Sequence, residues 1–127
     1  MAGSIPNGPS VTFGRIAAAV PVSDISRALG FYQDILGMSV TFTNGEPVGF
    51  VILQRDAAEL HLTLVKGHKG GSHNTAHLIV ADAAGLHDHL VLNGARIVKG
   101  LRDADYGLRG FVFADPDGNR IDVGQPL

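Results

Sequence analysis

Short apolar runs and two amphipathic stretches follow one another in the same order twice along this chain. Val20-Pro-Val-Ser-Asp24 and Leu78-Ile-Val-Ala-Asp82 are each an apolar run closed by Asp, 58 residues apart. Asp in that place is suited to cap a helix, because its carboxylate accepts from the free amides of the first turn. After Asp24, residues Ile25, Ala28, Leu29, Tyr32 and Ile35 or Leu36 fall on one face at helical spacing. The pattern predicts a helix over Asp24–Leu36 and a second over Asp82–Leu92. Gly37 and Gly94, 57 residues apart, stand where a left-handed cap ends each helix. A repeat of this length is too long for a solenoid unit and fits a half-domain present twice.

The remaining apolar runs have strand length. In the first half they predict strands at Ile16–Val22, Met38–Thr43, Val48–Gln54 and Ala58–Val65, with turns at Asn44-Gly-Glu-Pro47 and Arg55-Asp56. In the second half they predict strands at Thr75–Val80, Arg96–Val98, Leu108–Ala114 and Asn119–Gly124. Gly100–Gly107 reads as a loop, and Asp115-Pro-Asp-Gly118 as a hairpin in which Pro presets φ and Gly supplies a positive one. Lys66–His73 is Gly-rich and reads as a flexible linker. Residues 1–13 carry Pro and Gly but little periodicity, and read as a mobile arm.

The predicted class is therefore α+β: one domain over residues 14–127, made of two tandem βαβββ modules. Module one covers 14–66, the linker 67–73 and module two 74–127. A sheet with a helix on one face leaves its other face free, so two curved mixed sheets with their free faces inward enclose a cleft.

Composition narrows the function. The chain has 127 residues, 45% of them hydrophobic, enough for a folded core. A net charge of −2 gives no electrostatic case for nucleic acid or an anionic membrane. No apolar run is long enough to span a bilayer. The first residues lack the basic and apolar regions of a signal peptide, and cysteine is absent. Both point to a cytoplasmic protein, with no thiolate metal ligand and no Cys nucleophile. No Gly-x-Ser-x-Gly elbow or phosphate loop is present.

The motifs Pro21-Val-Ser-Asp24, Ala28-Leu-Gly-Phe-Tyr32 with Leu36-Gly-Met38, Asn93-Gly-Ala95, Tyr106-Gly-Leu-Arg109 and Phe113-Ala-Asp-Pro-Asp-Gly-Asn-Arg-Ile-Asp122 carry a resemblance. They resemble the vicinal oxygen chelate superfamily of glyoxalases, bleomycin resistance proteins and dioxygenases, over nearly the whole chain beyond residue 14. The resemblance implies a homodimer with two clefts at or near the subunit interface. It does not fix an activity, because the family hosts both metalloenzymes and drug-binding proteins.

The family's metalloenzymes take His, Glu or Gln ligands at cleft-facing strand positions. Carried over, those positions fall on Ala17, Thr75, His61 and Asp122. Ala17 cannot ligate and Thr75 is a poor ligand, which places the chain with the bleomycin-resistance-like members. Alternation along the strands adds Arg15, Thr63, His77 and Arg120 to the same faces. Tyr106 stands in the loop before the seventh strand, as a lid aromatic. The expected ligand-binding set is thus Arg15, His61, Thr63, Thr75, His77, Tyr106, Arg120 and Asp122, holding an antibiotic-like or metabolite molecule without a cofactor. The neighbours Ile16, Leu62, Leu78, Ile121 and Val123 are expected to pack under the helices.

Two alternatives stay open. One is a lyase, isomerase or dioxygenase using Zn, Ni, Mn or Fe on His61, His77 and Asp122. Its objection is geometric: His77 lies two residues, about 6–7 Å, along its strand from the family's ligand position. The other is a dimeric sensor or subunit domain. His87 and His89 on the second helix, and His68 and His73 in the linker, read as solvated. Arg120 beside Asp122 reads as an ion pair across the cleft.

Overall fold

A computed structural model of the chain describes residues 8–104 and 107–127. The elements run β1 (Ala18–Val22), α1 (Ile25–Tyr32), β2 (Ser39–Asn44), β3 (Phe50–Arg55) and β4 (Ala58–Leu64), then β5 (Asn74–Ile79), α2 (Ala83–Leu92), β6 (Arg96–Asp103), β7 (Leu108–Ala114) and β8 (Arg120–Pro126). Each module forms a four-stranded sheet, ordered β1-β4-β3-β2 and β5-β8-β7-β6. In each, the first strand lies parallel to the last and the other pairs are antiparallel. The predicted α+β class and tandem βαβββ order are the observed ones.

Both helices start as the sequence implies. The Asp24 carboxylate accepts from the Arg27 amide at 3.0 Å, and that of Asp82 from Gly85 at 3.0 Å. α1 ends earlier than predicted, at Tyr32, but the chain keeps turning to Gly37. The Gly37 amide donates to Gln33 at 3.0 Å and Met38 to Tyr32 at 2.9 Å, with Gly37 at φ +68°. β6 is the larger departure. It continues to Asp103 where a loop was expected, and it carries two register shifts, between Ile97 and Lys99 and between Lys99 and Arg102. The bulges break the two-residue alternation by which a strand is read from sequence.

One core serves both modules. Val20, Val22, Val51, Leu53, Leu60 and Leu62 of the first sheet join Phe111, Phe113, Ile121 and Val123 of the second. Ala28, Phe31 and Tyr32 of α1 and Ala83 and Leu90 of α2 complete it. Leu62, Ile121 and Val123 are buried as expected and Leu78 packs against them, but Ile16, before β1, is 96% exposed.

The Asp115–Gly118 turn is a hairpin, and it also joins the modules. The Asp115 carboxylate accepts from Tyr32 Oη at 2.8 Å, Asn119 Nδ2 at 2.9 Å, and the amides of Asp117 and Asn119 at 2.9 Å each. Asn119 Nδ2 also donates to the Pro21 carbonyl in β1 at 2.8 Å. Asp117 Oδ1 accepts from Arg27 at 2.8 Å and from the amide and hydroxyl of Ser23. Burial and the Asp115 charge push the Tyr32 hydroxyl well above its ordinary pKa, so it stays a proton donor.

The linker is docked on the same turn, contrary to its flexible appearance. Gly70 donates its amide to the Asp117 carbonyl at 2.7 Å, and a Cβ on Gly70 would overlap the Gly118 carbonyl. His68 is partly buried, with Nε2 2.8 Å from Asn119 Oδ1, and is not a free loop residue. His87 is partly buried too, edge-on to Phe111 with ring centroids 5.2 Å apart. His89 is exposed, with Nε2 2.7 Å from the Ile35 carbonyl.

Asp115→Ala leaves the buried Tyr32 hydroxyl and two turn amides without their acceptor. We expect it to cost about 3–5 kcal/mol, against about 1–2 kcal/mol for Tyr32→Phe, which leaves Asp115 three donors. Urea unfolding of the two variants checks both the size and the order.

Candidate ligand-binding site

With the apolar side of each sheet turned into the core, the other side is open. On sheet one, register places Ala19 and Ile52 beside His61, Pro21 and Phe50 beside Thr63, and Gln54 beside Glu59. On sheet two it places His77 and Val112 beside Asp122, and Asn74 and Ala114 beside Arg120. The predicted parity of Arg120 and Asp122, and of His61 and Thr63, is therefore observed.

Polar groups on sheet one converge on a residue the sequence reading missed. Glu59 Oε1 accepts from Arg15 Nη2 at 2.5 Å and Nε at 3.0 Å, and from Gln54 Nε2 at 2.6 Å. Its Oε2 lies 2.7 Å from His61 Nε2. A carboxylate only accepts, so His61 donates through Nε2. The hydrogen bonds from Gln54, His61 and Arg15, in that order, and then the Arg15 charge, hold the Glu59 carboxyl down to about 2. Glu59 was legible in principle, since it shares parity with His61 two residues on. Beside this cluster stands an aromatic ladder. Phe50 is edge-on to His61 at 5.4 Å and to Phe42 at 6.2 Å, and Phe42 is half exposed. Thr63 is exposed on the same face.

Sheet two carries a second pair. A register shift between Asn74 and Ala76 leaves Thr75 out of the pairing with β8 and brings His77 directly opposite Asp122. His77 Nδ1 is 3.1 Å from Asp122 Oδ2. The shift removes the geometric objection raised against His77, because the ladder itself brings it level with Asp122. Thr75, expected on the same face, is the residue left outside this ladder. Arg120 does not pair with Asp122 across the cleft. Its Nη1 lies 3.4 Å from the Ser72 carbonyl, and His77 is the partner of Asp122. Tyr106 falls outside the described residues.

A cavity of about 210 Å³ opens on this face, lined by His77, Ile79, Arg102, Leu108, Gly110 and Asp122 among others. A second, of about 560 Å³, lies where the modules meet. Ala17, Tyr32, Met38 and Leu60 line it, with Glu59 and His77 at its polar edge. Four of the eight candidates thus fall into two clusters, Arg15 and His61 around Glu59, and His77 with Asp122.

The donor set does not fit the family's metal centre within one chain. Among the described residues, no three His, Asp or Glu side chains are gathered to hold an ion. Ala17 offers no ligand, and His61 already gives its Nε2 proton to Glu59.

Two four-stranded sheets from a duplicated module, each with a polar cluster on its open face, define a domain of the glyoxalase type. Residues 12–123 match the Glyoxalase/Bleomycin resistance protein/Dioxygenase superfamily, and the chain belongs to it. No curated protein matches the chain significantly. Among solved structures it is similar to a superfamily member from Sphaerobacter thermophilus DSM 20745, with 27% identity and a TM-score of 0.75. That match covers 89% of this chain and 98% of the other. It is also similar in fold to a bleomycin-binding protein complexed with bleomycin, with 22% identity, a TM-score of 0.76, and 91% and 100% coverage. A bleomycin resistance determinant encoded on the transposon Tn5 gives 22%, 0.76, 90% and 98%. No described helix is long and apolar enough to cross a membrane.

Glu59 gives the site a pH signature. Its folded pKa lies below the unfolded carboxylate value of about 4.3, so its contribution is complete above that value and is lost as pH falls toward about 2. We expect Glu59→Gln to flatten the fall of melting temperature between about pH 4.5 and pH 2 relative to the parent. Thermal melts across that range check it.

Proposed function

We propose that this protein binds a small organic molecule on the open faces of its sheets and holds it without metal chemistry, as a homodimer in the cytoplasm. The observation that carries the reading is the Arg15–Glu59–Gln54–His61 cluster next to exposed Phe42 and the Phe50 ring. Fixed hydrogen-bonding groups beside flat apolar surface orient and hold a ligand with a polar end and a planar body. The bleomycin bound by one relative in fold supports a drug-like or metabolite ligand, and a resistance role by sequestration follows from that reading. Dimerisation is supported by the segment before β1, where Val11, Phe13 and Ile16 are 68%, 76% and 96% exposed and offer apolar surface for a second copy to cover.

One observation favours a second reading, a metal-dependent enzyme. His77 gives Nδ1 to Asp122. A carboxylate behind the imidazole, leaving Nε2 outward, is how metal-binding histidines are supported. His61 belongs to the same reading as a further donor, with Asp122 supporting His77 from behind and Zn, Ni, Mn or Fe as the ion.

The two are separated by metal analysis of the purified protein together with titration of ligands found by screening. We expect no stoichiometric metal. We expect Arg15→Ala and Asp122→Ala to weaken ligand binding about tenfold or more with little change in melting temperature. Leu62→Ala should do the reverse, at about 2–5 kcal/mol of stability. One equivalent of a transition metal, lost on His61→Ala or His77→Ala, would establish the enzyme reading instead.

A further inference from the structure

The open face of sheet two carries more cations than the sequence reading assigned to it. Register sets Arg96 opposite Ala114, Lys99 opposite Val112 and Arg102 opposite Gly110. Those three β7 residues stand opposite Arg120, Asp122 and Gly124. Residues paired across a ladder share a side, so Arg96, Lys99, Arg102 and Arg120 lie on the face of His77 and Asp122. The described part of this face therefore presents four cations and one carboxylate, in a chain whose net charge is −2. Asp103, the acid of β6, is in register with Arg109 and bound to it at 2.7 Å. The carboxylate of Asp122 is turned to His77.

Between these side chains the floor is small and apolar. Gly110, Val112 and Ala114 run along its centre, the last two buried. The cavity of about 210 Å³ has Arg102, His77 and the His77-bound Asp122 on its lining and Ile79, Leu108 and Val123 as its apolar part. A cavity of about 150 Å³ holds a benzene ring, so this one takes a ring-sized body with a small substituent.

We infer that the ligand received by sheet two is a ring-sized apolar compound carrying an oxyanion, as a carboxylate or phosphate ester, and that Arg102 and Lys99 hold the anionic group. A guanidinium presents paired N–H donors that match two oxygens of either group. The surrounding cations draw such a ligand to the face before contact. The inference rests on the binding reading above and names the chemistry of its ligand.

The test is calorimetric titration of the full chain with benzoate, phenyl phosphate and benzamide, at low salt and at about 1 M salt. The parent is compared with the double variant Lys99→Gln/Arg102→Gln. Both positions are exposed, and equal melting temperatures confirm that the variant folds. We expect at least one of the two anions to bind about tenfold or more tightly than benzamide. The advantage should shrink at high salt, where the Debye length is about 3 Å, and vanish in the double variant while benzamide affinity is unchanged. Whether benzoate or phenyl phosphate leads distinguishes a carboxylate from a phosphate ligand. Equal affinity for all three, or an anion preference that survives in the variant, overturns the inference and leaves the binding reading standing. Absence of binding by all three also overturns it. The binding reading itself falls only if a wide small-molecule screen finds no ligand either.

Discussion

The buried Asp115 carboxylate is the constraint on which the arrangement of the two modules depends. It sits in a turn of module two, yet one of its partners is the Tyr32 hydroxyl at the end of α1 in module one. An ionised group taken out of water must be met on its lone pairs, and here four donors meet it. Because the donors come from both modules, the modules cannot shift relative to one another without exposing that charge to an apolar surrounding. Phe31 against Phe113, with ring centroids 5.9 Å apart, makes the same junction in the apolar core. The docked linker and the Ser23–Asp117–Arg27 cluster extend it.

This fixes what each open face can do. The polar clusters stand mainly on the middle strands β3 and β4 of sheet one and on edge strand β5 and middle strand β8 of sheet two, where backbone pairing holds Cα positions and the core holds the opposite face. Glu59, His61 and Asp122 therefore have little freedom to collapse onto other partners, and their hydrogen bonds are made to neighbours on the same sheet. A surface prepared in this way loses little entropy when a ligand arrives. The likeness to a bleomycin-binding protein is one of fold, at 22% identity, and the residues on the faces are this chain's own.

The fold was legible wherever apolar spacing followed a regular period. The duplicated Asp caps, the glycine ends and seven of the eight strands lie close to their predicted places because helix and strand periods decide them. β6 was read short because its bulges replace alternation with a spacing of three: Arg96, Lys99 and Arg102. Three-residue spacing in a plain strand would scatter these side chains over two faces, and nothing in the sequence marks the extra residues. The same cause hid the alignment of His77 with Asp122, since a register shift in β5 cannot be counted from residue numbers. Glu59 was missed for a different reason. It stood on the right parity, but its role depends on Arg15, Gln54 and His61 converging on it from separate segments. The close approach of Gly70 to Gly118 was invisible because it depends on a contact between segments far apart in the chain.

The irregularity of β6 makes chain length, and not only residue type, a determinant of this surface. Paired with β7 as an ordinary ladder at its full length, without the bulge between Lys99 and Arg102, the strand would present a different surface. Everything beyond Lys99 would then change sides, as it does for any one-residue slip in a strand. Arg102 would exchange places with an apolar neighbour, so a guanidinium would be driven toward the core and Leu101 toward water. The extra residue is thus what keeps Arg102 on the face of Lys99, opposite Gly110.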